Sequence, residues 1–264
     1  MAGACPEQEG ALLCGRKVFF LYPHSVLNED LLVEILSNEY EIYSLHDHHV
    51  AERIARAFPG SIFFLNIDEA LKERQWALWI RGLLTDPATV STRIGILTYN
   101  PDPELARKYL MEIGIPCGFI QMKLGLAEGK SIILKMLAAN EAKGRRRYVR
   151  ARCSDGKKAS FNLTVRGAHV TGDIVDISVA GMSVRFDATV RFKDKEVLDD
   201  VQLRMRGTLC RVAGTYAGIL GERSDRSLLL FNAPLAEDAQ AKIHRFIFLS
   251  LQEEMSDYIR TLPV

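Results

Sequence analysis

Apolar residues change rhythm once along this chain, near residue 140, and each rhythm admits its own kind of fold. Before that point, short and nearly continuous apolar runs at 18–22, 41–45, 62–66, 93–99 and 117–122 alternate with helical periodicity at 28–38, 49–58, 70–84, 103–113 and 128–139. Two helical stretches open as helices prefer, Asn28 standing ahead of Glu29 and Asp30, and Asp102 ahead of Pro103 and Glu104. Strands apolar on both faces, alternating with helices, predict a parallel sheet covered from both sides. After residue 140 the runs shorten to 159–165, 169–177, 182–186, 201–205, 209–220 and 227–231, punctuated by Gly167, Gly181, Gly207 and Gly221. Met182, Val184 and Phe186 alternate with Ser183 and Arg185, as Val201, Leu203 and Met205 do with Gln202, Arg204 and Arg206. That is the period of a half-buried strand, and six such strands in quick succession predict a small antiparallel barrel. From 237 to about 260, apolar Ile243, Phe246, Ile247, Met255, Tyr258 and Ile259 fall at helical spacing.

The expected class is therefore α+β in two domains. A flavodoxin-like parallel-sheet domain over 16–140 follows a loose N-terminus at 1–15, and an arginine-rich joint at 141–150 leads into a six-stranded barrel with a closing helix at 151–264. A length of 264 residues suits two modest domains. With 48% hydrophobic and 25% charged residues, wholesale disorder is excluded. No apolar run approaches the ~18 residues that span a bilayer, and no basic-then-apolar leader opens the chain, so membrane insertion and secretion are not expected. The five cysteines, Cys5, Cys14, Cys117, Cys153 and Cys210, are scattered without a CxxC pair, which points to a reducing, cytoplasmic setting. Charge is divided unevenly. Residues 1–140 hold 13 Lys and Arg against 17 Asp and Glu, whereas 141–264 hold 21 against 16, so an anionic partner is expected on the second half.

The joint itself reads Glu-Ala-Lys-Gly-Arg-Arg-Arg-Tyr-Val-Arg, half of it basic. Arg146 and Arg150 are spaced RxxxR behind Arg145, and at a later strand end Asp176, Ser178 and Gly181 form DxSxxG. The two motifs, in this order and ahead of a barrel, resemble the PilZ domain, the bacterial receptor module for cyclic di-GMP, over about residues 141–260. The resemblance implies a non-enzymatic receptor that signals to a downstream protein in motility, chemotaxis or virulence control. It implies Arg145, Arg146, Arg150, Asp176, Ser178 and Gly181 as ligand-binding residues. Arg145 implies in addition an intercalated pair of ligand molecules. The chemistry of the residues agrees. A guanidinium matches both phosphate oxygens and the O6/N7 edge of guanine, a carboxylate accepts from guanine N–H groups, a serine hydroxyl adds a bond, and glycine admits close approach. The same basic run could serve a nucleic-acid-binding module, but few barrel aromatics offer stacking platforms and the excess charge is mild.

The first half resembles a receiver domain of the two-component type in its alternation. A working receiver needs acidic residues after its first strand and an aspartate ending its third, because Mg²⁺ takes carboxylate oxygens. Here the first strand ends Leu21-Tyr22-Pro23 and the third ends in Asn66, with Asp68 two residues on; Thr98 and Lys123 do fit the pattern. A degenerate receiver used for contacts is expected, the alternative being a response regulator controlled through this half. His46, His48 and His49 with Asp47 could in principle hold a metal, but no second cluster matches them, and surface histidines are expected. Trp76 and Trp79, three apart on a helix, mark either core or a partner surface. Cys117 and Cys210 read as core hydrophobes. No nucleophile–base order, phosphate loop or cyclic di-GMP synthase or phosphodiesterase signature is present, so no enzyme and no resident cofactor or metal is expected.

Overall fold

The computed structural model describes residues 15–24, 29–153, 159–187, 191–220 and 225–263. Asn28, Cys5, Cys14, Gly221 and residues 1–14 of the loose terminus expected at 1–15 lie outside them, while Gly15 pairs with Lys143. The chain divides into two compact units, one of residues 1–147 with 254–264, the other of residues 148–253.

The first unit is built on strands β1 (Val18–Leu21), β2 (Ile42–Leu45), β3 (Ile62–Asn66), β4 (Arg93–Thr98) and β5 (Phe119–Gln121). All pairings are parallel and the order is β2-β1-β3-β4-β5, the flavodoxin-like order expected. The near-continuous apolar runs have their reason here, since every residue of β1 and β3 is buried. Helices α1 (Glu29–Leu36), α2 (His48–Ala57), α3 (Glu73–Thr85), α4 (Pro103–Arg107) and α5 (Leu126–Ala139) connect the strands. α1 turns Leu31, Leu32, Ile35 and Leu36 inward, and α3 turns Trp76, Ala77, Ile80 and Leu83 inward.

Caps fix where these helices begin. Asp47 accepts from the backbone N–H groups of His49 and Val50 at the head of α2, and Asp102 accepts from that of Glu104 beside Pro103, as its sequence foretold. Residues 70–84 had read as one helix, but Ala70 takes φ 65° and the helix starts at Glu73, where the Gln75 side chain accepts from Lys72 N–H. The helix expected over 103–113 widens into a π-turn at Lys108–Ile113, and Gly114 closes it at φ 77°.

The second unit is a barrel. Strands β7 (Ala159–Val165), β8 (Ala168–Ser178), β9 (Gly181–Phe186), β10 (Val197–Met205), β11 (Thr208–Ile219) and β12 (Ser227–Phe231) pair antiparallel in the order β8-β7-β10-β11-β12-β9, and β9 returns to β8 to close the ring. A two-residue strand, β6 (Ala151–Arg152), pairs beside β8. Two hairpins turn on the same dipeptide. Arg166-Gly167 and Arg206-Gly207 hold φ of 50° and 80°, and 48° and 82°. Both central residues in the left-handed region make the turn that matches strand twist, and glycine takes the second place without strain. β10 begins four residues earlier than its alternation suggested, because a bulge between Leu198 and Val201 breaks the period. Helix α6 (Glu237–Thr261) follows, with Ile243, Phe246, Ile247 and Leu251 buried.

Phe19, wholly buried, stacks on Tyr43 at 5.1 Å and on Phe63 at 4.8 Å and so joins three strands. Phe19→Ala is expected to destabilise the first unit by about 3–5 kcal/mol. Both tryptophans of the chain, Trp76 and Trp79, belong to that unit. Tryptophan fluorescence in urea therefore reads it alone, and an unchanged midpoint would refute the packing argument.

Candidate functional site

In the barrel unit, β8 brings the second motif together with the last arginine of the first. β7 pairs with β8 only up to Ser160 opposite Asp173, which leaves the rest of that edge open. β6 takes it up, with Ala151 opposite Ile177 and Arg152 opposite Asp176, and Cys153 N–H donates to Val175 O at 2.8 Å. Arg150, immediately before β6, thereby stands with Nη1 3.8 Å from Asp176 Oδ1, a loose ion pair between half-exposed side chains. Ser183 Oγ donates to the other carboxylate oxygen, Asp176 Oδ2. Alternation had placed Ser183 on the outer, polar face of its strand. It is instead 2% exposed, turned onto Asp176 across the β8–β9 pair, a partnership that motif reading missed and that only register reveals.

The other motif residues sit differently. Ser178 is 4% exposed, donates to Gly181 O at 3.3 Å and accepts from Ala180 N–H at 3.3 Å, so it braces the β8–β9 turn. Gly181 has a structural reason of its own, because a Cβ there would lie 2.4 Å from Leu229 O where β9 crosses β12. Arg145, Arg146 and Arg150 are all exposed; Arg145 and Arg146 group with the first unit and Arg150 with the second.

At the C-terminal edge of the parallel sheet, where a receiver keeps its acidic pocket, a hydrogen-bonded network stands. Asn66 Nδ2 meets His24 Nδ1 at 3.2 Å, and Asn66 Oδ1 accepts from Asp68 N–H. Asp68 is occupied on both oxygens, by the Thr98 hydroxyl at 2.5 Å and by Tyr99 N–H at 2.7 Å. His24 lies edge-on to Tyr99, its Nε2 3.4 Å from Asp68 Oδ2. Burial lowers the His24 pKa, with Asp68 acting against it. Lys123 is exposed in the turn after β5. One occupied carboxylate does not make a Mg²⁺ site, and among the described residues no three His, Cys, Asp or Glu side chains converge on a metal position. The residues do not fit the ion that the receiver fold implies.

His48 departs from the expectation of surface histidines. Its Nδ1 meets the Tyr22 hydroxyl at 3.1 Å, and its ring lies against Trp76 and Trp79. Trp76 is fully buried, its N–H given to Glu69 O, so this tryptophan is core. Cys117 and Cys210 are buried, as is Cys153, and burial pushes the Cys117 thiol up to about 11 and Cys153 to about 12. Such thiols are poor nucleophiles at neutral pH.

The two units thus define a fold class: a parallel-sheet α/β unit with the flavodoxin-like strand order, and a closed six-stranded antiparallel barrel. No known family and no curated protein matches the sequence. Among solved structures, the chain is similar to the PilZ domain with c-di-GMP of YcgR from Escherichia coli, at 14% identity and a TM-score of 0.37 over 45% of this chain and 99% of that one. It is also similar to the K. pneumonia MrkH–c-di-GMP complex, at 17% identity and a TM-score of 0.34 over 45% of this chain and 56% of that one. A further similarity, at 16% identity and a TM-score of 0.36, covers 46% of this chain and 91% of the phosphorylated cyanobacterial phytochrome response regulator RcpA. At these identities and scores, function has to be argued from this chain's own residues.

Incubation with acetyl phosphate and Mg²⁺ is expected to leave the chain unphosphorylated. A mass increase of one phosphoryl group mapped by digestion to residues 62–70 would overturn the reading of the sheet edge.

Proposed function

We propose that the chain is a non-enzymatic, cytoplasmic receptor for cyclic di-GMP, with Arg145, Arg146, Arg150, Asp176, Ser178 and Gly181 forming its binding site. The observation that carries this is the pairing of β6 with β8, which sets Arg150 beside Asp176 at the end of the arginine run. An exchange of partners follows from that contact. A guanidinium held 3.8 Å from a carboxylate makes no hydrogen bond to it and is easily turned to a phosphate, where the bond is charge-assisted and bidentate. Asp176 is then released toward the N–H groups of a guanine while Ser183 keeps the carboxylate oriented. Ser178 and Gly181 serve less by direct contact than by holding the turn in which Asp176 stands. Arg145 and Arg146 would close over the ligand from the preceding segment, and Arg145 would favour a second, intercalated molecule.

Signalling follows from where the arginines lie. The five cations of residues 141–150 repel one another, and bound phosphates remove that repulsion. Because the same segment joins the two units, ordering it restricts their relative freedom and offers a changed surface to a downstream protein in motility, chemotaxis or virulence control. Ligand shifts that balance only as far as it binds one arrangement better than another.

Two measurements test the reading. Arg146→Ala and Arg150→Ala should each weaken cyclic di-GMP binding in calorimetry by about 1–3 kcal/mol or more, the worth of a bidentate contact, with the barrel still folded. Unchanged affinity in both variants would remove this segment from the site. In the wild type, ligand should slow trypsin cleavage at 145–150 and alter the small-angle scattering profile, and Arg146→Ala should abolish both changes. Tight binding that protects nothing and leaves scattering unaltered would show that the partner reads the ligand-bearing surface itself.

A further inference from the structure

The first unit, acidic by composition, holds two arginines side by side that make no ion pair among the described residues. Arg16 precedes β1 and Arg93 opens β4, at the edge of the sheet opposite Asn66 and Thr98. Both meet on Asn140, just past α5: Arg16 Nε donates to its backbone oxygen at 3.2 Å, and Arg93 Nη1 to its Oδ1 at 2.9 Å. Asn140 is itself fixed, its Nδ2 giving to Met136 O at 2.8 Å. Arg16 Nη1 also donates to Gly60 O at 2.8 Å. A guanidinium carries five N–H groups, so these bonds leave most of the donors of both side chains unused. Among the described residues no carboxylate lies within ion-pair distance of either. Burial first, and the charge of Arg93 next, lower the Arg16 pKa, while Glu141 and Cys117 act weakly the other way.

The pair lines an open cavity of about 750 Å³, together with Thr92, Leu84, Val90 and Ile113. Two guanidiniums with most of their donors unused on one cavity suit an anionic occupant that presents enough oxygens for two planar forks at once. A phosphoryl group has three free oxygens, a carboxylate two. Leu84, Val90 and Ile113 add apolar surface for a small organic body.

We propose that this cavity binds a small phosphorylated organic anion, its phosphoryl group held between Arg16 and Arg93. The site uses no residue of the cyclic di-GMP reading and stands or falls apart from it.

The test is a titration of the full chain with phenyl phosphate, inorganic phosphate and benzoate, followed by ¹H–¹⁵N spectra that include the arginine Nε–H signals. Saturable shifts are expected at Arg16, Thr92 and Arg93, with phenyl phosphate binding about tenfold tighter than inorganic phosphate through its apolar ring. Arg93→Gln should abolish these shifts, and Arg16→Gln should weaken them. Arg146→Ala should leave them intact. Shifts absent from Arg16, Thr92 and Arg93, or found only within 143–150, would overturn the proposal. So would shifts that survive Arg93→Gln. Benzoate binding as tightly as phenyl phosphate would overturn the phosphoryl assignment. If Arg93→Gln does not fold, the wild-type titration and Arg16→Gln decide the matter.

Discussion

Strand β8 is the element on which the barrel unit depends. Its eleven residues are too many for one neighbour, and it divides its hydrogen bonds among three. Residues 168–173 pair with β7, residues 172–178 pair with β9 and close the ring, and Asp176 and Ile177 take β6 on the edge that β7 has left. Unpaired strand edges are costly when buried and adhesive when exposed, so a short strand filling the vacancy is the expected repair. Its consequence is chemical. Closing the edge with residues 151 and 152 draws the end of the arginine run to the carboxylate of Asp176, near the end of β8. A register shift between Ile174 and Asp176 lets the same strand serve both neighbours, and Ser183 comes to face Asp176 through that shift.

In the parallel-sheet unit, topology and chemistry have parted. The order β2-β1-β3-β4-β5 needs only apolar strands and amphipathic helices, both of which are retained. Phosphoryl chemistry at the sheet edge needs several carboxylates around a cation, and those positions hold Tyr22, His24 and Asn66. The side chains there support one another. An amide and an imidazole meet in a hydrogen bond, and the Asp68 carboxylate accepts from a hydroxyl and a backbone N–H. The edge is thereby a packed and hydrogen-bonded surface.

Most of the fold was legible because both periods are strong signals. Alternating runs placed each sheet strand to within a few residues, and Asp102-Pro103 marked a helix start that the cap geometry bears out. What failed to show were features set by partners far away in sequence. Ala70 looked helical until its left-handed backbone is seen, and the π-turn at Lys108–Ile113 leaves no mark on the apolar pattern. Ser183 read as an outer polar residue because alternation names a face but not what stands opposite. The RxxxR and DxSxxG motifs singled out Arg150 and Asp176, yet their meeting required β6, which two residues of sequence cannot announce. Net charge misled as well. A surplus of acid over residues 1–140 gave no hint that Arg16 and Arg93, 77 positions apart, would meet on Asn140.

The same contacts fix both ends of the arginine segment. At its root, Arg16 N–H donates to Ala142 O at 2.8 Å, Gly15 pairs with Lys143, and Arg16 holds the backbone of Asn140. At its far end, Ala151 is bound into β8 through β6. The arginines at 145–147 and 150 lie between these two anchors on a stretch that is short in contour, since an extended residue reaches only about 3.5 Å. A chain so tethered has little slack: the residues between the anchors can rearrange, but their ends are built into a sheet unit and a barrel.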